Sequence, residues 1–329
     1  MEHDLRGNDP GRWGHSLANL AEIMFPLLDA VGARSVVEIG SYEGDLTREL
    51  LGWADRAGPR DEGETIRVTA IEPAPQDELV ELSKQRPDLE LIRETSHEAL
   101  RYIALPDAVI VDGDHNYYTV REELRLIDER AGAELPLLLF HDVGWPHGRR
   151  DTFYAPERIP DEYLESVSPG GHVFPGEPGL ANGGLPYRWV SKREGRPRSG
   201  VLTAVEDFVS GRDDVRLAIV PVFFGLGVAW QSDRPWAGAV AEIVQRWDRN
   251  PILARLEANR VFQLANEHVR RAEAGGLQER NRRLELLLRK MLESRAFALA
   301  DRLTGLRWRG QAPSWRQQVS DALDEDGSR

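Results

Sequence analysis

Residues 108–118 read AVIVDGDHNYY, so a charge-free run gives way within a few positions to Asp112, Asp114 and His115. Carboxylates and an imidazole at this spacing suit two tasks, holding a cation through oxygen or nitrogen and moving a proton near neutral pH. A second set follows the run 135–140, LPLLLF, which ends in His141 and Asp142. Taken singly, each has a plain alternative. Asp112 or Asp142 could cap a helix, and His115 could bond a backbone carbonyl. Five such groups after two apolar runs point instead to a site.

Such groups act together only if the chain holds them at one edge. Ala108 to Val111 are uncharged and mostly β-branched, and 135–140 is continuously apolar, so both predict strands of a parallel sheet covered on both faces. In open α/β sheets the ligand crevice lies beyond the carboxyl ends of the strands. An earlier stretch, SVVEIGSYEGDLTREL at 35–50, supplies a first strand, a tight turn and a helix. The turn fails the dinucleotide fingerprint G-x-G-x-x-G, because Tyr42 and Asp45 stand where the second and third glycines belong. NAD is therefore disfavoured. What stands there is E-x-G-x-x-x-G, formed by Glu38, Gly40 and Gly44.

That motif resembles the first motif of class I S-adenosylmethionine (SAM) methyltransferases, and a tyrosine in its middle recurs among the metal-dependent O-methyltransferases of the class. The resemblance implies a Rossmann-like α/β fold, a mostly parallel seven-stranded sheet closed by an antiparallel sixth and seventh strand, for which 215–221 and 224–230 are the candidates. It implies SAM contacts from Glu38, Gly40, Ser41, Tyr42 and Gly44. Glu72, after the strand 66–71, would bind the ribose hydroxyls, and Ser96 and His97, after the strand 89–92, would lie beside the adenine. His97 reads equally well as a plain helix-start residue.

The strand-end cluster is similar to that of magnesium-dependent sugar O-methyltransferases of macrolide and aminocoumarin pathways. By that likeness Asp112, His141 and Asp142 hold the metal, and His115 is the base, so His115, Asp112 and Asp142 carry catalysis. His141 stands where those relatives have a carboxylate, which admits Mn2+ or Fe2+ beside Mg2+. The expected activity is metal-assisted methylation of a hydroxyl on a small molecule, a sugar of a natural product or glycan. One competitor is an Fe(II) hydroxylase on the same scaffold, resembling a cephalosporin hydroxylase family, with His115, His141 and Asp142 as ligands. Another is a non-catalytic assembly protein working through its C-terminal helices.

The remaining sequence sets the frame. Residues 1–34 read as a polar lead and an amphipathic helix, and 35–235 as the SAM-binding domain. Within it, 143–200 lose periodicity and read as a lid, where Trp145, Tyr154, Tyr187 and Trp189 are candidates to stack on a ring and Arg149 and Arg150 to hold an acidic group. Residues 236–317 read as two long helices broken at Gly275 and Gly276, suited to homo-oligomer formation. Residues 318–329 read as a disordered tail. The chain of 329 residues has no cysteine, which excludes disulfides and thiolate metal sites. A net charge of −13 argues against nucleic acid as a partner, although 277–316 hold ten Lys or Arg against four Asp or Glu. No signal peptide or transmembrane run is visible, so a cytoplasmic location is expected.

Overall fold

The computed structural model describes residues 15–58, 65–307 and 314–326. Residues 1–14 of the polar lead, 59–64, 308–313 and 327–329 of the expected disordered tail lie outside them. After a single turn of 3-10 helix at Leu17–Leu20, the elements are α1 (Ala21–Ala30), β1 (Ser35–Ile39), α2 (Asp45–Ala57), β2 (Arg67–Ile71), α3 (Asp77–Gln85) and β3 (Leu89–Ile92). Next come α4 (Ser96–Ala99), β4 (Ala108–Val111), α5 (Tyr117–Ala131), β5 (Leu137–Phe140), β6 (Val167–Val173), β7 (Leu185–Ser191) and α6 (Val201–Ser210). Then follow β8 (Val215–Val220), β9 (Leu226–Gln231), α7 (Ala237–Val244), α8 (Pro251–Glu293), α9 (Arg295–Arg307) and α10 (Trp315–Asp326).

The seven-stranded sheet has the order β3-β2-β1-β4-β5-β9-β8, parallel from β3 to β5 and antiparallel at β9 and β8. Its strands alternate between two apolar layers. Val36, Ala108, Ile110, Leu137 and Leu139 pack into one, against α1, α2 and α7. Val37, Val109, Val111, Leu138 and Phe140 pack into the other, against α5 and α6. Burial on both faces is why β4 and β5 carry no polar residue. Their buried side chains also fix the register, since a slip by one residue would exchange the two layers.

That register aligns the strand ends. Past the last paired residues, Glu72 N–H donates to Ile92 O (3.0 Å), Gly40 N–H to Ile71 O (2.9 Å), Asp112 N–H to Ile39 O (2.9 Å) and His141 N–H to Val111 O (3.0 Å). Glu72, Gly40, Asp112 and His141 thus stand in one row across four adjacent strands. At about 4.8 Å per strand, the row spans roughly 14 Å.

Three stretches differ from the expectation. The supposedly patternless lid contains the β6–β7 hairpin, a two-stranded sheet of its own. Helix α8 runs unbroken through Gly275 and Gly276, and residues 318–326, expected to lack structure, belong to α10. The chain divides into two compact units, Met1–Ala265 and Asn266–Arg329. The first holds the sheet, its flanking layers and the start of α8. In the second, Leu288, Met291, Leu292, Phe297, Trp315 and Val319 line an apolar cavity of about 310 Å3. No described helix is long and apolar enough to cross a membrane.

Candidate active site

The turn after β1 is shaped by its glycines. Gly40 has φ +88°, and a Cβ there would lie 2.2 Å from the Asp112 carbonyl oxygen. Only glycine lets the β1 turn lie against the β4 turn. Gly44, at φ +81°, opens α2, whose free N–H groups face the same end of the sheet. Glu38 is buried and accepts a bond from Thr47 Oγ1 at 2.6 Å. Burial raises its carboxyl to about 7, against the opposing effect of the Thr47 hydroxyl. Ser41 Oγ is buried and makes no hydrogen bond within the protein. Glu72 accepts from the Tyr42 amide (3.1 Å) and the Ala74 amide (2.9 Å), which ties the β2 end to the glycine turn.

At the other end of the row, Asp112, His115, His141 and Asp142 come together. His141 is buried; its Nδ1 lies 2.9 Å from Asp112 Oδ1 and 3.6 Å from Asp142 Oδ2, and its Nε2 lies 2.9 Å from the Phe223 carbonyl. Burial alone would lower this imidazole, but Asp112 and Asp142 more than reverse that and raise it to about 10. His115 Nε2 lies 3.0 Å from Asp142 Oδ2 and 3.9 Å from Asp112 Oδ1. Its burial disfavours the cation, yet Asp142 carries the net shift upward. Asp142 is buried with φ +58°, a left-handed conformation that a non-glycine residue keeps only where its surroundings impose it. Its own burial opposes ionisation, and His115 and His141 outweigh that, holding it well below the usual carboxylate range.

Among the described residues, two overlapping groups have ligand atoms close enough to share a cation, Asp112–His141–Asp142 and His115–Asp142–His147. The first suits a metal in its chemistry. A metal-ligating histidine commonly anchors its far nitrogen on a carbonyl, as His141 Nε2 does on Phe223, leaving Nδ1 directed at the two carboxylates. His147, in the lid, was not among the sequence candidates, because it stands in a stretch with no periodic pattern. It is buried and pushed down to about 3 by that burial, and its nitrogens lie 3.1 Å from Thr152 Oγ1 and 3.3 Å from Tyr187 OH.

Other candidates take different places. Ser96 donates to Glu123 Oε1 at 2.5 Å, and Glu123, which helix periodicity places off the apolar face, is 1% exposed. His97 Nε2 contacts the Thr119 carbonyl (3.1 Å), and its ring meets Tyr118 edge-on, so it packs α4 onto α5. Both lid arginines already have partners within the protein. Arg149 pairs with Glu206 at 2.7 Å, and Arg150 is fully buried, donating to the carbonyls of Ser191 (2.8 Å), Pro178 (2.9 Å) and Gly179 (3.2 Å). Tyr154 is exposed, its amide bound by Asp114 Oδ1 at 3.1 Å and its ring 5.5 Å from that of His115. Trp145 and Tyr187 pack with the cluster of Val173, Leu185, Val190 and Phe224.

Residues 37–143, from β1 through the strand-end cluster, match a sequence family described as a methyltransferase domain. By that match residues 37–143 are a methyltransferase domain. The parallel strands β3 to β5 with antiparallel β9 and β8 complete the sheet expected of class I methyltransferases, which draw the methyl group from SAM. No curated protein matches the chain in sequence. Among solved structures, the methyltransferase domain is similar to the SAH-bound methyltransferase PaMTH1 of Podospora anserina, at 16% identity, covering 70% of this chain and 85% of that one, TM-score 0.42. A putative caffeoyl-CoA O-methyltransferase of Staphylococcus aureus is 11% identical, with 65% and 83% covered and a TM-score of 0.37. SAM-bound CalS10, an amino pentose methyltransferase of Micromonospora echinaspora involved in calicheamicin biosynthesis, is 16% identical, with 65% and 91% covered and a TM-score of 0.36.

Proposed function

We propose that this methyltransferase methylates a hydroxyl of a small, hydroxylated ring compound, such as a sugar of a natural product or glycan, with the help of a divalent cation. The observation that carries the reading is the single row of strand ends, with Gly40 and Glu72 at one end and the Asp112–His141–Asp142 group at the other. Glu38, Gly40, Ser41, Tyr42, Gly44 and Glu72 would bind SAM. Glu72 is the acceptor for the ribose hydroxyls, and the buried Ser41 hydroxyl is a further donor there. Asp112, His141 and Asp142 would hold Mg2+ or Mn2+, which when bound supplies Lewis-acid stabilisation of an alkoxide.

The residues of the chain divide the remaining work. His115 takes the proton from the acceptor hydroxyl, and Asp142, 3.0 Å from its Nε2, stabilises the resulting imidazolium. The acceptor oxygen then forms a bond to the methyl carbon while the sulfonium S–C bond breaks, giving the methyl ether and S-adenosylhomocysteine. With Arg149 and Arg150 engaged elsewhere and Asp112, Asp114, Asp142 and Glu72 at the strand ends, the surroundings favour a neutral or cationic acceptor. Tyr154 is placed to stack on its ring. The hydroxylase reading is less favoured: the second group, His115–Asp142–His147, offers two imidazoles and one carboxylate, but both His147 nitrogens already face hydroxyls.

The test is calorimetric titration of the wild type and Asp142→Ala with S-adenosylhomocysteine and with Mn2+. The expected outcome is unchanged nucleoside affinity, Mn2+ affinity weakened by roughly 100-fold, and loss of metal-dependent methyl transfer to the same degree. Equal losses of both affinities would count against the assignment.

A further inference from the structure

The turn between β8 and β9 is strained in a way the sheet does not require. Phe223 has φ +51° and Phe224 φ +64°, two consecutive non-glycine residues in the left-handed region, followed by Gly225 at +93°. Such a conformation persists only where neighbours over-determine it, and it turns successive N–H groups toward one side, as in anion-binding nests. Here the anion is the Glu257 carboxylate of α8. It accepts the Phe223 amide at 3.1 Å and the Phe224 amide at 2.8 Å. Arg260, one turn further along α8, grips both Glu257 oxygens, Nε to Oε2 and Nη2 to Oε1, each at 2.7 Å. Its guanidinium also lies 4.4 Å from the centroid of the Phe224 ring. The pair is nearly buried, Arg260 at 9% and Glu257 at 12% side-chain exposure, so it is not the solvated surface pair that its i,i+3 spacing suggests.

The peptide unit joining Phe223 to Phe224 is the link to the site. Its N–H points at Glu257 and its C=O accepts from His141 Nε2 at 2.9 Å. A trans peptide is planar and rigid, with N–H and C=O directed oppositely, so fixing one end of this unit fixes the other. The turn is further seated by the Gly144 amide on the Phe224 carbonyl, where a Cβ on Gly144 would fall 2.5 Å from the same oxygen. We infer that Glu257 and Arg260 are positioning residues: through the Phe223–Phe224 peptide they set the orientation of the His141 ring toward Asp112 and Asp142. The functional consequence rests on the metal reading proposed above; the placement of the ring does not.

Two readouts test this and separate it from that reading. In metal-free protein, NMR follows exchange protection of the His141 Nε2 proton; in parallel, Mn2+ affinity is measured by the EPR signal of free ion. Glu257→Ala is expected to abolish the ring-proton protection and weaken Mn2+ binding 10- to 100-fold, with S-adenosylhomocysteine affinity within twofold of wild type. Arg260→Leu, which leaves the carboxylate in place, should lose 3- to 10-fold. Arg260→Lys should recover only part of that, because an ammonium cannot grip both oxygens at once. Glu267→Ala on the same helix should match wild type. If Glu257→Ala does not fold, the two Arg260 variants decide. If wild type binds no Mn2+ yet Glu257→Ala still frees the His141 proton, the positioning role stands and the metal reading falls. Unchanged ring-proton protection in the Glu257 and Arg260 variants overturns the inference.

Discussion

At the residue scale, the site is built from groups placed where their ordinary behaviour is suppressed. Gly40 shows this sterically. An alanine there would set its Cβ against the Asp112 carbonyl at φ +88°, so Gly40→Ala is expected to cost at least about 2 kcal/mol, read from the urea midpoint, and to weaken SAM binding as the β1 and β4 turns separate. Glu123 shows it electrostatically. One of its oxygens accepts from Ser96 and the other, buried, has no hydrogen-bond partner, so burial raises the carboxyl from an ordinary 4.5 to about 8. An acid raised in the folded state keeps its proton where the unfolded chain has lost it. Its contribution is therefore complete below about 4.5 and is lost as pH rises through about 8. Denaturant titrations between pH 5 and 8.5 should show wild type losing on the order of 2–4 kcal/mol relative to Glu123→Gln, which has no charge to bury. A constant difference across that interval would mean that Glu123 ionises freely.

At the element scale, the parts of the fold legible in the sequence are those whose burial leaves a periodic trace. β1, β4 and β5 could be placed because both faces of each are covered, and Asp112 and His141–Asp142 because polar residues follow such runs directly. The β6–β7 hairpin left no trace, since ten of its 14 strand residues are exposed or only partly buried and it includes Pro169, Gly170 and Gly171. Gly275 and Gly276 look like a break, but a glycine pair costs only about 2 kcal/mol in a helix whose neighbours are strong helix formers. Periodicity puts Glu123 off the apolar face of its helix and gives no sign that Glu257 and Arg260 are covered, because it does not reveal what packs over a helix from outside it. Arg150 is the same lesson in the lid. Fully buried, it ties β7 to the turn at 178–179 by donating to the carbonyls of Ser191, Pro178 and Gly179. Arg150→Met keeps the apolar stem but removes these bonds, leaving the Pro178 carbonyl with the Glu194 amide alone and the Ser191 and Gly179 carbonyls without the guanidinium. Amide exchange across 178–191 should accelerate by an amount equivalent to roughly 2–4 kcal/mol, while exchange in β1 and β4 stays unchanged.

At the scale of the whole molecule, the two units carry different surfaces. The second unit exposes Leu277, Leu284, Leu287, Leu299 and Leu303, at 47–60%, and the stretch 277–316 is net positive in a chain of net charge −13. Self-association is therefore the expected use of this face: it would cover the exposed leucines, and the strongly acidic rest of the chain would supply counter-charge in a second copy. The first unit contains every residue proposed for SAM, metal and proton transfer. It also contains Glu257, Arg260, Val261, Leu264 and Ala265, the opening turns of α8, the last three packed with Val173, Val190 and Phe224. Two truncations should therefore behave differently. A chain ending at residue 274 keeps these turns; it should retain S-adenosylhomocysteine and Mn2+ affinity within about threefold of the full chain, yet sediment as a monomer where the full chain sediments as a dimer or larger. A chain ending at residue 250 loses the carboxylate under Phe223 and Phe224 and the apolar residues beside it, so Mn2+ affinity should fall while the SAM half of the row, held by β1 and β2, changes little. If the shorter chain bound Mn2+ as tightly as the longer one, α8 would have no part in the site; if the longer one still sedimented as a dimer, association would have to be sought on the sheet domain.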